Sequence, residues 1–153
     1  MTVRDLANFD VKVCSPDTDL ASAAKIMWDC DCGVVPVVNE ERRVLGMVTD
    51  RDICIAAATR AAKPSDIQVR DVMSQAVASC KADDDANIAL SIMKQRRVRR
   101  LPVLDARGQL AGILSVNDLA MRADGRAGAG VSGQAFLDTF KAICTHTRDA
   151  VPA

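Results

Sequence analysis

Tyrosine is missing from this sequence, and histidine occurs once, at His146. Three phenylalanines and one tryptophan bring the aromatic share to only 3%. Proteins that hold single-stranded nucleic acid stack its bases on aromatic rings, so nucleic acid is not an expected partner. A lone histidine leaves no Ser/His/Asp or Cys/His grouping to argue, and no glycine-lysine phosphate loop marks a hydrolytic nucleotide site. An enzyme is not expected. Charge of one sign is not in excess either: 20 Lys plus Arg balance 20 Asp plus Glu. There is thus no global pull toward nucleic acid or an anionic membrane surface. No apolar run approaches transmembrane length, and Met1 to Val13 lacks the apolar core of a signal peptide. The reading is a cytoplasmic protein with no membrane contact. Without a secretory signal, the six cysteines read as free thiols used as small hydrophobes. Cys30-Asp31-Cys32 is neither the CxxC redox spacing nor a zinc pair, so no metal is expected.

What is present is a motif written twice. Val44-Leu45-Gly46-Met47-Val48-Thr49-Asp50-Arg51-Asp52-Ile53 returns as Leu110-Ala111-Gly112-Ile113-Leu114-Ser115-Val116-Asn117-Asp118-Leu119. Subtracting, 112 − 46, 115 − 49 and 118 − 52 each give 66. The same offset carries Cys14 onto Cys80, Met27 onto Met93 and Pro36 onto Pro102. Each copy reads as a strand, a hydroxyl residue, an acid three positions on and a helix. Two accounts fit that spacing. In one, Thr49 with Asp52 and Ser115 with Asp118 are capping boxes that start helices. In the other, the hydroxyl and free N–H groups take a phosphate while the acid accepts from two ribose hydroxyls. Gly46 and Gly112 would then let the backbone approach the ligand.

Along the chain, Val3 to Leu6 and Val69 to Met73 read as matched lead-in turns. Val11 to Cys14 and Val77 to Cys80 read as brief strands. Ser15 to Asp19 and Lys81 to Asp85 signal helix starts. Amphipathic helices follow, carrying Leu20, Ala23, Ala24, Met27 and Cys30, then Ala86, Ala89, Leu90 and Met93. Pro36 and Pro102 sit inside apolar runs, where a residue without an N–H must mark an edge or a break in pairing. Polar hairpins follow at Asn39 to Arg43 and Asp105 to Gly108. The fold class is α/β (α+β): two β-α-β-β-α repeats packed about a pseudo-twofold axis, plus a C-terminal helix. The boundaries are 1–62 for repeat 1 with its lead-in, 63–68 for a linker and 69–122 for repeat 2. A glycine-rich linker at 123–133 precedes a helix at 134–147, with Leu137, Phe140 and Cys144 on one stripe and Phe136 and Ile143 flanking it. Repeats of this size bury their apolar faces against a neighbour, and the remaining faces favour a homodimer.

The doubled proline block, followed by G-x-x-T/S-x-x-D before a helix, resembles the cystathionine-β-synthase (CBS) domain, whose tandem pair is called a Bateman module. Val69-Arg70-Asp71-Val72-Met73 and Arg99-Arg100-Leu101-Pro102-Val103 add to the likeness, which covers about residues 8–122. The resemblance implies a stand-alone regulatory module that binds adenosine compounds (AMP, ADP, ATP, sometimes NAD or S-adenosylmethionine) in clefts between the repeats. It implies that Asp52 and Asp118 hold ribose and that Thr49 and Ser115 touch ribose or phosphate. The backbone around Val35-Pro36 and Leu101-Pro102 would flank adenine, and Cys14-Ser15 and Cys80-Lys81 would close the other side. It further implies a dimer of modules and a protein partner that reads the ligand. The nucleotide is then a regulatory ligand, with no cofactor required.

The copies differ where charge matters. Asp50 and Arg51 in the first become Val116 and Asn117 in the second. A carboxylate at Asp50 would repel phosphate, whereas Arg99 or Arg100 facing the second site would clamp it. The second site is therefore expected to be the better nucleotide binder. The alternatives are a structural dimerisation module without ligand and a thiol redox sensor using Cys14 and Cys80.

Overall fold

The computed structural model describes residues 1–122 and 130–145. Gly125, Gly128, His146 and the end of the expected C-terminal helix lie outside the described residues. In chain order the elements are α1 (Leu20–Asp29), β1 (Val34–Val38), β2 (Val44–Thr49), α2 (Asp50–Thr59), β3 (Cys80–Lys81), α3 (Ala86–Arg96), β4 (Arg100–Leu104), β5 (Leu110–Ser115), α4 (Val116–Ala120) and α5 (Gly133–Cys144). Single 3-10 turns at Val3–Asp5 and Val69–Asp71 are the two lead-ins. This is the mixed helix-and-strand fold expected from the repeat.

The chain divides into two compact units, and their limits differ from boundaries drawn in chain order. One unit joins Asp10–Val77 to Leu104–Ala111; the other joins Met1–Phe9 and Ala78–Val103 to the described residues from Gly112 onward. Each lead-in is built into the unit dominated by the other repeat. Val3 and Leu6 are buried in the core of Met93, Leu101 and Leu119. Ile67 and Val69 are buried with Leu20, Val35 and Val48. The residues read as a linker at 63–68 thus end in a core position. Matching bonds fasten both lead-ins. Val3 and Arg4 donate to the Asp84 and Ala82 carbonyls, as Val69 and Arg70 do to those of Thr18 and Pro16. Arg4 pairs with Asp83 and Arg70 with Asp17. These partners are again related by 66.

In the repeat-1 unit, β1 runs antiparallel to β2 with Val34 opposite Thr49 and Pro36 opposite Met47. The expected strand at Val11 to Cys14 is reduced to one parallel bridge, Cys14 with Val37. Cys14 N–H donates to the Pro36 carbonyl and Val38 N–H to the Cys14 carbonyl, at 3.0 and 2.9 Å. The next rung back would need an N–H from Pro36, which has none, so pairing stops there. Strands β3, β4 and β5 form a second sheet in that order.

Candidate functional site

Each repeat turns from strand to helix at its hydroxyl–acid pair. Thr49 is the N-cap of α2, and its Oγ1 accepts from Asp52 N–H at 3.2 Å. Asp52 Oδ2 accepts in return from Thr49 N–H and Oγ1, at 2.9 and 2.7 Å. Ser115 and Asp118 repeat the arrangement at the start of α4, with distances of 2.7, 2.7 and 3.2 Å. The capping box is therefore real in both copies. All its carboxylate bonds use Oδ2, and in both acids Oδ1 is left outside the cap. The pairs are part-buried, so they are held in place yet open to solvent on one side.

The structure corrects the role expected of the motif glycines. A Cβ on Gly46 would lie 2.7 Å from the Ser74 carbonyl oxygen, and one on Gly112 would lie 2.6 Å from that of Asn8. Ser74 exchanges both backbone hydrogen bonds with Met47, and Asn8 does so with Ile113. The glycines thus admit a lead-in strand. The close approach is made by the protein's own backbone.

The remaining expected residues fall into groups. Val35 and Leu101 are 0% exposed, their side chains in the two cores, so only their backbones can meet a ligand. Pro36 and Pro102 are buried on the alternate face of the same strands. Cys14 and Cys80 are core residues, and each pairs with its proline strand, Cys14 by its bonds to Pro36 and Val38 and Cys80 in β3 beside β4. Burial pushes the Cys14 thiol up to about 11 and the Cys80 thiol up to about 12, the latter helped by the Asp84 charge. Thiols held protonated in this way are poor nucleophiles, which removes the chemical basis of the redox-sensor alternative at these two positions. Ser15 and Lys81 are exposed, each turned into a local bond with the helix start: Ser15 N–H to Thr18 Oγ1, Lys81 N–H to Asp84 Oδ2. Asp50 and Asn117 are exposed in the first helical turns.

A residue that the motif reading missed is Gly33. Its carbonyl accepts from Asp50 N–H at 3.2 Å, and a Cβ there would sit 2.8 Å from Asp50 Oδ2. Adding 66 gives Arg99, whose carbonyl accepts from Val116 N–H at 2.8 Å. The backbone clasp is the same; the side chains are Gly and Asp in one copy, Arg and Val in the other. Arg100 starts β4 half-buried, and alternation puts it on the face of Pro102, away from Leu101 and Val103. Among the described residues neither Arg99 nor Arg100 is in an ion pair.

Comparison with known proteins agrees with this geometry. The CBS domain model matches residues 3–58 and 69–125. Protein MK0525 of Methanopyrus kandleri is 33% identical over 119 residues, 78% of this chain and 61% of that protein. The chain thus spans about three-fifths of that relative. Hypoxic Response Protein I, known from Mycobacterium tuberculosis, has been solved with two coordinated zinc ions. It aligns at a TM-score of 0.73 with 28% identity, over 81% of this chain and 100% of that one. Among the described residues here, no group of three His, Cys, Asp or Glu could hold a metal ion. The CBS domain pair of protein MJ0100, solved with 5-methylthioadenosine and S-adenosyl-L-methionine, shares the fold at a TM-score of 0.72 with 20% identity, over 80% of this chain and 94% of that one. No described helix is long and apolar enough to cross a membrane.

Proposed function

Because the chain belongs to the CBS-domain family, we propose that it is a regulatory module that binds adenosine nucleotides at the strand-to-helix junctions of its repeats. The observation that carries this reading is the carboxylate left over at each junction. Asp52 and Asp118 are fixed by their caps through one oxygen, and the other can accept from the paired hydroxyls of a ribose. Val35-Pro36 and Leu101-Pro102 supply apolar strand backbone for an adenine ring. MJ0100, with its two adenosine-derived ligands, supports the class of ligand rather than its identity. AMP, ADP, ATP, NAD and S-adenosylmethionine are all in that class. In repeat 2, Arg99 and Arg100 favour a ligand carrying phosphates; in repeat 1, Asp50 disfavours it. The module acts as a homodimer in the cytoplasm, without catalysis of its own, and a protein partner reads the conformation that the ligand selects. A ligand shifts such an equilibrium only by its different affinity for the two states.

Titration calorimetry with AMP, ATP and S-adenosylmethionine tests this. Binding is expected in the wild type and is weakened about tenfold or more in Asp118→Asn, since a charge-assisted bond is lost. No heat with any of the three at millimolar levels overturns it.

One observation favours a second reading. The capping boxes are complete without a ligand, so the motif could serve folding alone, in a structural dimerisation module. Thermal unfolding separates the two, because a bound ligand must raise the melting temperature and an unbound one leaves it unchanged.

A further inference from the structure

The offset of 66 pairs helices α1 and α2 with α3 and α4, yet the two pairs are covered differently. Helix α5 packs along α3 and α4. It brings Phe136 and Ile143 onto a core in which Met93 and Leu119 are both 0% exposed. Subtracting 66 from these two gives Met27 and Ile53, and both line an open groove of about 410 Å³ between α1 and α2. Trp28 and Cys54 line it too, and Trp28 is 84% exposed. The groove occupies the position in repeat 1 that a helix of this same chain fills in repeat 2. An indole left in water beside an apolar groove marks a surface that gains by being covered.

Helix α5 carries a face of matching character. The sequence pattern put Leu137, Phe140 and Cys144 on its apolar stripe. In the structure the inward face is instead Phe136, Thr139 and Ile143, with Thr139 2% exposed and its hydroxyl donated to the Ala135 carbonyl at 2.9 Å. Leu137 and Phe140 are turned out, 43% and 42% exposed. A helix apolar on two faces needs a partner for each. Lys141 follows Phe140 and lies one turn from Leu137, on the outward side. The groove is lined by the carboxylates of Asp31 and Asp50. None of these three charges is in an ion pair among the described residues. Shape class, apolar character and charge therefore agree across the two surfaces.

We propose that the α1–α2 groove of one copy seats the outward face of α5 from a second copy. Leu137 and Phe140 enter beside Met27 and Ile53, Trp28 closes over them, and Lys141 meets Asp31 and Asp50. This docking deepens the homodimer of the proposed function and shares Asp50 with its repeat-1 site, but it needs no nucleotide.

Trp28 is the only tryptophan in the chain, so its emission reports on the groove. Emission and sedimentation of the full chain are followed together on dilution. The expected result is a dimer with blue-shifted Trp28 emission, which dissociates to a monomer with the red-shifted emission of an indole in water. Phe140→Asp weakens the dimer by about tenfold or more, since truncating a central anchor costs that much. Leu137→Asp, which leaves the Phe136–Phe140 ring stack untouched, does the same. Lys141→Glu weakens it less, and mostly at low salt. Circular dichroism confirms that each variant is folded. A chain that is monomeric throughout overturns the proposal. So does a dimer whose Trp28 emission ignores dilution, or one that survives both substitutions unchanged.

Discussion

The two repeats share a backbone clasp and differ in what surrounds it. In repeat 1 the clasp is Gly33 with Asp50, and the carboxylate fills the space that a Cβ at Gly33 would take. In repeat 2 it is Arg99 with Val116. The charge difference is +1 for Gly33 against Arg99 and +1 for Asp50 against Val116, so repeat 2 is more positive by two at one point. Their outer helices differ as well: α3 and α4 carry α5, and α1 and α2 border an open groove. A duplicated fold can thus keep its bonds and divide its tasks. The residues that fix geometry match across the offset, and those that set charge and exposure diverge.

The buried thiols sharpen this comparison most. Cys14 and Cys80 occupy equivalent core positions, raised to about 11 and about 12. Burial is the main cause in both, and the Asp84 carboxylate adds to it only at Cys80, because its counterpart in repeat 1 is Thr18. Near neutral pH the thiolate fraction falls by roughly 100-fold or more relative to an ordinary thiol. Cys30, Cys32, Cys54 and Cys144 are exposed. Cys30 and Cys144 should react quickly with a thiol reagent, Cys32 and Cys54 more slowly where the groove they line is covered, and Cys14 and Cys80 only as the chain opens. Asp84→Asn should bring Cys80 toward Cys14. A folded pKa above the unfolded value gives stability that is whole below about 8.5 and drains away as pH rises toward the folded values. Alkaline unfolding of a Cys80→Ala variant against wild type measures it.

The motif glycines come next. Ala at Gly112 would press on the Asn8 carbonyl and the Phe9 ring, and Ala at Gly46 on the Ser74 carbonyl and the Met73 side chain. Backbone cannot yield cheaply, so each change should cost about 1–3 kcal/mol by overpacking. That corresponds to a melting temperature lower by roughly 2–4 °C per kcal/mol for a chain of this size. Gly112→Ala should be the worse of the two, since a thioether bends aside more readily than a ring. Equal melting of both variants and wild type in a thermal scan would show that the lead-ins are not held as described.

These glycines also show what a reader of the sequence could and could not see. The offset of 66 made the caps, the two amphipathic helices, the prolines and the hairpins legible, because each depends on residues close in sequence. Thr49 with Asp52 is a contact over three residues. Which core Val3 enters is not such a contact. Chain order assigned it to repeat 1, and the exchange shows only in contacts distant in sequence, such as Val3 N–H to the Asp84 carbonyl and the tight approach of Asn8 to Gly112. Helix α5 was legible as a helix, and its inward face was not. Phe136, Phe140 and Ile143 fit more than one stripe, and the surface beneath decides between them. At the strand-to-helix junctions the hydroxyl–acid pairs were legible. That Asp52 and Asp118 cap through a single oxygen was not, because spacing does not say which oxygen bonds.

The charge difference at the clasps can be removed from either side. Arg99→Gly gives repeat 2 the clasp residue of repeat 1 and leaves Val116, a core residue, in place, and Asp50→Val removes the carboxylate from repeat 1. In calorimetry, ATP should bind the first variant about tenfold more weakly, the scale of one charged contact. AMP should be affected less, having one phosphate. The Asp50→Val change should strengthen ATP binding at repeat 1 by a smaller factor, since the carboxylate is exposed and screened. Unchanged ratios of ATP to AMP affinity in both variants would mean that neither clasp faces the phosphates.

The smallest effect expected concerns the helix starts, where the repeats are nearly equal. Asp19 caps α1 by accepting from Ser22 N–H and Oγ at 2.9 and 2.7 Å. Asp85 caps α3 by accepting from Asn87 N–H and Nδ2 at 2.9 and 2.8 Å. These bonds favour the ionised form and hold both carboxyls below the ordinary range. A depressed folded pKa contributes stability that is present above the unfolded value, near about 3.9, and is lost as pH falls through the folded one. Asp85 alone also has the N-terminal ammonium nearby, at 3.8 Å. Asp19→Asn and Asp85→Asn should therefore each make the protein less sensitive to acid, since each removes a proton-binding site from the unfolded chain. The acid midpoint of the Asp85 variant should in addition lose some of its dependence on salt, because the screened ammonium contact goes with the charge. If the two midpoints respond to salt alike, the ammonium does not act on that cap, and the helix starts of the two repeats are electrostatically equivalent.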